Sequence, residues 1–597
     1  MEAISLPGIE IVPTQVHRAF GWVQDPSNFR SLCKVVALFS KESSFHSDLV
    51  EHKIPRLVEE RDGRDRLLSE LTANVEPLRI SYHDLIGTSF TPRSESRCNG
   101  IVQAAIKGQK RDFIGDWPAD NYVRWAHALG FITYHYSDDT FSITAAGNIL
   151  AEQYVDNEVI SDGEKEILIS AMITYPPALR VLSLLSEPNA HLTKFEIGRQ
   201  LGFIGEGGFT SVPQDLLVLE LARTDDPKIR KDMKSDWEGS SDKYARMIAK
   251  WLANLGLVEI TPKEIQLESN GEVFRETISQ AYRITASGLR VYQRARGRSR
   301  HPISVKNVYY EIFSPSGDER EYLRTRRSHI VSFINRHRRT TITDIQNHLR
   351  SVGIEESSTA ISDDVNGLIK IGLDVVISGQ SVQFRDRITD FQIPIINNRA
   401  AEETDLSRIK ESTREKLDAI SHDYLSLIDI AYTSSQNRLF EMKSMELFIN
   451  EYGFRGRHLG GARKPDGVIY SDSLNNNYGV IVDTKAYSGG YPLPISQADE
   501  MTRYIRENQN RDEIENPNRW WGNFPADLTE FKFLFVSGHF KGNYVEQLQR
   551  IARTTRVNGG ALSVVNMLLC ANMIKRGEIT LEQLRTDMFQ NREYTVT

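Results

Sequence analysis

Two stretches of this chain repeat one another, and that repetition limits the fold more than any other feature. Arg124-Trp-Ala-His-Ala-Leu-Gly-Phe-Ile132 is followed, after an alternating segment, by Phe141-Ser-Ile-Thr-Ala-Ala-Gly147. In the same way Arg246-Met-Ile-Ala-Lys-Trp-Leu-Ala-Asn-Leu-Gly-Leu-Val258 leads to Tyr282-Arg-Ile-Thr-Ala-Ser-Gly288. Each copy has an apolar helical pattern ending at a glycine suited to a helix C-cap, then a strand pair, then a Thr-x-x-Gly helix start. Helix, β-wing, helix is the order of a winged-helix module.

Upstream of the second copy, His191-Leu-Thr-Lys-Phe-Glu-Ile-Gly-Arg-Gln-Leu-Gly202 offers Thr193 as a helix N-cap. Phe195, Ile197 and Leu201 supply the apolar anchors of a short helix before a tight turn. This is a helix-turn-helix of the winged kind. A third, degraded copy runs from Thr340-Thr-Ile-Thr-Asp-Ile-Gln-Asn-His-Leu349 through residues 361–372 to Val382-Gln-Phe384. Winged helices contact DNA or protein, so the motif alone leaves both open.

One hydrophobic core stops growing near ~250–300 residues, so a chain of 597 must divide into three or four domains. The modules place subdomains at 1–160, 161–300 and 301–396, the third expected to contact protein. Asn397-Asn-Arg-Ala-Ala-Glu-Glu-Thr-Asp405 is polar and aperiodic, which puts a linker at 397–410. A helical pattern then resumes over 406–452, with Leu417, Ile420, Tyr424, Leu427 and Ile428 on one face, and opens a last domain at 411–597.

Composition matters mainly for what it excludes. A hydrophobic fraction of 40% beside 26% charged residues leaves little room for extensive disorder. The three cysteines, Cys33, Cys98 and Cys570, lack the spacing of a zinc site or a disulfide framework, so a reducing cytoplasm is expected. No basic stretch leading into an apolar one opens the chain, and no run of about 18 apolar residues occurs. A net charge of −7 argues mildly against wholesale nucleic-acid binding. Basic residues nevertheless cluster at 228–234, 290–300, 324–327 and 335–339, and four clusters in one region favour a DNA-facing surface over four solvated helix faces.

The C-terminal region carries the chemistry. Lys464-Pro-Asp-Gly-Val-Ile-Tyr470 reads as one strand, and beyond an Asn-rich turn Tyr478-Gly-Val-Ile-Val-Asp-Thr-Lys485 reads as a second, buried one. Lys485 lies two residues past Asp483 and so emerges on the same face. An antiparallel hairpin would bring Asp466 beside them. Phosphodiester hydrolysis needs hard carboxylate oxygens for Mg²⁺, a metal to stabilise developing charge, and a cation to orient or help deprotonate water. Asp466 and Asp483 are the candidate metal ligands, with the Thr484 backbone carbonyl as a further one. Glu441 or Glu446 on the preceding helix could contribute through water. Lys485 is the candidate activator. A helix at 497–508, a strand at 531–536, a helix at 544–555 and a strand at 561–565 follow, in the order a PD-(D/E)xK nuclease core requires.

Here the residues become recognisable. Phe20-Gly-Trp-Val-Gln24, Trp237-Glu-Gly-Ser-Ser-Asp-Lys-Tyr-Ala-Arg-Met247, His458-Leu-Gly-Gly461 and Phe531-Lys-Phe-Leu-Phe-Val-Ser-Gly-His-Phe-Lys-Gly-Asn-Tyr544 closely resemble the FokI family of type IIS restriction endonucleases, along nearly the whole chain. The resemblance implies a multidomain fold, with N-terminal winged-helix α+β recognition subdomains followed by a C-terminal α/β PD-(D/E)xK nuclease domain. It implies Mg²⁺-dependent cutting of both DNA strands at a fixed distance outside a short asymmetric site, GGATG or a close relative. Asp466, Asp483 and Lys485 match the family's catalytic trio. Gln24, Arg93, Trp117, Glu238, Lys243 and Arg246 match positions that face double-stranded DNA. Asp25 and Ser235 stand where the family has Asn, which puts one base contact in question. Asp499 and Arg503 match the contacts of a transient homodimer of nuclease domains. A cytoplasmic prokaryotic enzyme with a cognate DNA methyltransferase is implied as well. Two other outcomes stay open: a winged-helix DNA-binding regulator with an inactive C-terminal domain, which the intact trio argues against, and a strand-specific nickase.

Overall fold

The computed structural model describes residues 8–10, 20–88, 97–240, 242–269, 271–298, 301–315, 317, 319–395, 405–461, 463–473 and 476–596. Arg93, the side chain of Glu238 and the 397–404 part of the expected linker lie outside the described residues. The chain forms two compact units. One comprises Met1–Phe203, Asp242–Lys263 and Ser279–Thr404, and the other Ile204–Ser241, Glu264–Ile278 and Asp405–Thr597.

The first unit contains three modules of one topology. Each opens with a short strand, Arg79–Ser81, Leu192–Thr193 or Arg339–Thr341, and closes with a strand pair. Those pairs are Ile132–His135 with Thr140–Ile143, Val258–Ile260 with Ala281–Ile284, and Val375–Ser378 with Ser381–Phe384. In all three sheets the opening strand lies beside the last, and the last beside the middle one. The helix after each opening strand starts on a hydroxyl cap: Ser81, Thr193 and Thr341 each accept from a backbone N–H three residues on. Such caps satisfy donors that an α-helix leaves without internal partners. The third copy, weakest in sequence, therefore keeps the winged-helix strand order.

The two strong copies also match in detail. Their helices are Asp116–Ala128 and Lys243–Asn254, and each is followed by a glycine in the left-handed region, Gly130 at φ 76° and Gly256 at φ 75°. Thr144 and Thr285 then do the same double duty. Each hydroxyl donates back to that glycine's carbonyl, at 2.7 and 2.8 Å, and accepts from the N–H of Gly147 or Gly288 at 3.0 Å. A Cβ at Gly147 or Gly288 would meet a backbone carbonyl oxygen at 2.1 or 1.9 Å, which explains the Thr-x-x-Gly spacing. Trp125 and Trp251, equivalent in the repeat, stack on each other with centroids 4.9 Å apart. The repeat thus packs one copy against the other.

One expected basic surface does not exist. Arg324, Arg326 and Arg327, on the helix Arg320–His337, are buried in ion pairs with Glu321, Glu356 and Asp364. Their charge serves the packing of the third module, because a buried guanidinium needs a carboxylate partner. Within the second unit, Arg230 and Lys234 of the 228–234 cluster likewise pair with the buried Glu276.

The core of the second unit is a five-stranded sheet. In chain order its strands are β1 (Arg455–His458), β2 (Gly467–Ser473), β3 (Asn476–Lys485), β4 (Phe531–Ser537) and β5 (Gly559–Ser563). They are neighbours in that order. The first three are antiparallel, and β3, β4 and β5 run parallel through helical crossovers. The helices used below are α1 (Asn437–Asn450), α2 (Ile495–Asn510), α3 (Tyr544–Thr555) and α4 (Val564–Arg576). Alternate residues of β3 and β4 divide between two cores. Val480, Val482, Leu534 and Val536 join one, and Ile481, Phe533 and Phe535 the other. Apolar residues on both faces account for the unbroken hydrophobic run at 480–482.

Two expectations about the entry to this unit need correction. Residues 405–410 are not irregular linker but the start of a helix, Asp405–Arg414. It is polar yet docked, because Lys410 pairs with Asp429 at 2.7 Å. Leu417, Ile420, Tyr424, Leu427 and Ile428 are all buried, but not on one helix. Their stretch breaks into a turn, a 3₁₀ turn His422–Leu425 and a short helix Ser426–Ala431, capped where Ser421 accepts from Asp423 N. Among the described residues no single helix is long and apolar enough to cross a membrane.

Candidate active site

Register brings the predicted trio together. In the β2–β3 hairpin Gly467 lies opposite Val482, so Asp466 and Asp483 meet one step further along at the end of both strands. A Cβ at Gly467 would come within 2.4 Å of Met445 Sδ, so the residue after Asp466 must be small for β2 to lie this close to α1. Asp466 Oδ2 accepts from the Thr484 N–H at 2.7 Å and from its hydroxyl at 3.1 Å. Lys485 donates to Asp483 Oδ1 at 2.7 Å and lies 4.0 Å from Asp466 Oδ2. The Ser537 hydroxyl, opposite on β4, donates to the Lys485 carbonyl at 2.7 Å and holds the strand end in place.

The electrostatics are those of a charge deficit. Burial, reinforced by the field of Asp466, raises the Asp483 carboxyl well above the ordinary carboxylate range, and Lys485 only partly opposes it. Burial and the charge of Glu441 raise Asp466 too. Burial would lower the Lys485 ammonium, but Asp483 and Asp466 outweigh it and raise the group. Two carboxylates thus share one cation in a place poor in water. Among the described residues no group of three or more His, Cys, Asp or Glu is arranged to hold a metal. Two carboxylates and a nearby main-chain carbonyl offer only hard oxygen donors, and they fit a cation that completes its shell with water and substrate oxygens.

Glu441 and Glu446 differ. Glu446 pairs with the buried Lys443 on its own helix. Glu441 acts on Asp466 and lies 3.3 Å from His458 Nε2, while His458 Nδ1 is 3.3 Å from Glu220 Oε2. His458 is buried. Burial would lower its pKa, but the bonds to Glu220 and Glu441 win and raise it to about 9. Sequence reasoning missed this bridge because Glu220 is 238 residues away in the chain. It also missed Tyr491 beside the trio. Nothing in the local spacing signals either of them.

Four candidates of the first unit, Lys243, Arg246, Gln24 and Asp25, fall along one helix. Lys243 is exposed at the beginning of Lys243–Asn254, and Arg246 is half-buried one turn on. The segment holding Gln24 and the exposed Asp25 lies along that helix. Gln24 donates to the Tyr244 hydroxyl at 3.3 Å, and Trp251 and Asn254 donate to the carbonyls of Pro26 and Ser27. Trp117, 53% exposed, is not a core residue. Trp237 is: it is buried in the second unit under the Arg438 guanidinium, 4.8 Å from its ring centroid. Ser235 is exposed on the helix Pro227–Ser240. On α2 and α3, Asp499 pairs with Arg550, and Arg503 with Glu500 at 3.1 Å and Glu507 at 3.7 Å. The i,i+4 pair that the Asp499 and Arg503 spacing permits is therefore replaced by other partners.

A carboxylate pair and a lysine at the end of a mixed sheet, in a chain that also carries three winged-helix modules, define a site-directed nuclease. Comparison with known proteins gives the family. The chain matches the FokI cleavage domain over residues 403–595, subdomains 1 and 2 of the FokI recognition domain over 18–153 and 164–300, and the FokI D3 domain over 313–380. It belongs to the FokI family of type II restriction endonucleases. It is 46% identical over 575 residues to the type II restriction enzyme FokI of Planomicrobium okeanokoites, covering 95% of this chain and 97% of that one. It is 34% identical over 580 residues to the type II restriction enzyme StsI of Streptococcus sanguinis, covering 95% and 94%. Solved structures of FokI, one of them bound to DNA, superpose with a TM-score of 0.90 at 45% identity, covering 97% of this chain and 100% of theirs.

Proposed function

We propose that this enzyme recognises a short asymmetric double-stranded DNA site, GGATG or a close relative, and hydrolyses both strands at a fixed distance outside it, dependent on Mg²⁺. The observation that carries the reading is the buried, under-compensated pair Asp466 and Asp483 with Lys485 against it. Asp466, Asp483 and the Thr484 carbonyl would hold the cation. When bound, it would supply a polarised water and stabilise the charge that develops on the phosphate. Thr484 keeps Asp466 turned inward through its N–H and hydroxyl. Lys485, held protonated between two carboxylates, orients the attacking water and stabilises the phosphorane-like charge.

Base reading falls mainly to the first unit, with Glu238 of the second unit. Lys243, Arg246 and Gln24 present donors suited to guanine or adenine edges in the major groove, and Asp25 offers an acceptor where the family has an amide. Trp117, Arg93 and Glu238 complete the set by their match to the family. The division adopted is the one expected from sequence, recognition subdomains up to 396, a linker at 397–410 and a nuclease domain at 411–597, and the matches to FokI recognition and cleavage domains support a division of this kind. One carboxylate pair cuts one strand, so the second cut calls for a C2 pair of nuclease domains, transient and formed through Asp499 and Arg503. A cognate methyltransferase would protect the host's own sites.

Incubating the purified protein with plasmid and Mg²⁺ at several enzyme concentrations, then sequencing the ends, tests the whole reading. It predicts double-strand breaks at one offset from one asymmetric site, with a specific rate that rises with concentration. Random breaks, single-strand nicks alone, or no cutting would overturn it.

A further inference from the structure

Lys485 presents a problem that the trio alone does not solve. Its ammonium occupies Asp483 Oδ1 at 2.7 Å, on a carboxylate assigned above to a divalent cation. A cation on that oxygen displaces the ammonium, and a buried ammonium without a partner is costly. Asp466 is the other ligand, and its Oδ2, 4.0 Å from the ammonium, already accepts from the Thr484 N–H and hydroxyl. The displaced group needs a neutral acceptor near at hand.

Tyr491 meets that need. Its side chain is buried at 4% exposure, and its hydroxyl has no hydrogen-bond partner among the described residues. Buried hydroxyls are normally satisfied, so an orphan calls for an explanation. The backbone around it is fixed: Tyr491 N donates to the His539 carbonyl at 2.8 Å, and Lys541 N donates to the Tyr491 carbonyl at 3.1 Å. The ring sits edge-on to Tyr487 and Phe540, both with centroids at 6.2 Å. Tyr491 bridges to Phe540 just past Ser537, which lies opposite Lys485 on β4, so a fixed backbone and a packed ring hold the side chain at the sheet end that carries Asp483 and Lys485, within the field of Asp483, Glu500 and Asp466. Burial first, and then those carboxylates, raise its pKa, so it stays a neutral phenol with lone pairs to offer.

We infer that Tyr491 is a positioning residue that accepts the Lys485 ammonium when a divalent cation takes its place on Asp483. The inference rests on the reading of Asp466 and Asp483 as a cation site. Asp483 thereby has two states. In one, Lys485 neutralises it; in the other, the cation does and Lys485 turns to Tyr491 and the water it is to activate.

The test is calorimetric titration of the full-length chain with Ca²⁺ and with Mg²⁺, without DNA, for wild type, Tyr491→Phe, Lys485→Met and the double variant. Phenylalanine keeps the ring and its packing, and an unchanged melting temperature confirms that. Losing one hydrogen bond to a charged group predicts a roughly tenfold weaker cation affinity for Tyr491→Phe. On the Lys485→Met background the same change should have no effect, since there is no ammonium to rehouse. Equal affinity of wild type and Tyr491→Phe would overturn the inference, and so would an equal loss on both backgrounds. If wild type binds neither cation, the metal-site reading itself fails.

Discussion

Two clusters of buried charge, one in each unit, show how the same ingredients serve scaffold or chemistry. In the third winged-helix module Asp364 accepts from Arg326 Nε and Arg327 Nε, each at 2.7 Å. Arg327 also donates to the Phe313 carbonyl, and Arg324 to the Ser314 carbonyl and to Glu321. In the cleavage unit Asp483 and Asp466 share one lysine. Burial pushes both Asp364 and Asp483 toward the protonated form. Two guanidiniums overcome it for Asp364, whose pKa is lowered, whereas Asp483 is raised well above the usual range. Equal burial with opposite outcome separates a charge that the fold has compensated from one it has left for a ligand.

The comparison breaks first at the trio. Asp466→Ala, Asp483→Ala or Lys485→Ala should each lower the cleavage rate by about three orders of magnitude or more, since metal-assisted charge stabilisation is worth several kcal/mol. Specific DNA binding by gel shift should stay near wild type, because none of the base-reading candidates belongs to the trio. Next in size, Asp364→Ala should destabilise the first unit by about 3–5 kcal/mol, by leaving the buried Arg327 guanidinium without its carboxylate and Arg326 with Glu356 alone. Denaturant unfolding reads this directly, and a loss under 1 kcal/mol would mean that Asp364 does not compensate them.

Lys243→Ala and Arg246→Ala should each cost about 1–3 kcal/mol of base discrimination. Selection on a randomised-site library distinguishes this from uniform weakening, which would mark them as phosphate contacts. The smallest effect concerns pairing of nuclease domains. Asp499→Arg and Arg503→Asp should each reduce double-strand cleavage through like-charge repulsion, and mixing the two variants should restore it. An exposed pair contributes only about 0.2–1 kcal/mol, so a few-fold change is expected. Normal cutting by each variant alone would remove these residues from the interface.

Much of this was legible in the sequence, where a local rule fixes the position. Thr193 and the Thr144 and Thr285 starts were readable because capping depends on residues three apart, and Asp483 with Lys485 because strand faces alternate. Sequence failed where charge alone had to reveal its setting. The run at 324–327 looks basic and exposed, yet its partners Glu356 and Asp364 come from later in the module. The polar stretch 405–410 looks like linker because the carboxylate that docks Lys410 is Asp429, beyond a turn. Tyr491 and the Glu220, His458 and Glu441 bridge depend on contacts between distant strands and helices, which no spacing encodes.

The central claim, that Asp483 and Asp466 form a buried pair which one lysine leaves under-compensated for a divalent cation, is tested most directly by thermal unfolding of wild type and Asp483→Asn across pH, with and without Mg²⁺. A carboxyl whose pKa is higher folded than unfolded favours the fold when protonated. That contribution is complete below the ordinary carboxylate range and is lost as pH rises through the raised value. Without metal, wild type should therefore lose stability over that window while Asp483→Asn does not, leaving the variant the more stable of the two at neutral pH. Mg²⁺ should then raise the melting temperature of wild type and leave that of Asp483→Asn unchanged. A variant less stable than metal-free wild type at neutral pH, or an equal Mg²⁺ response in both proteins, would contradict the account.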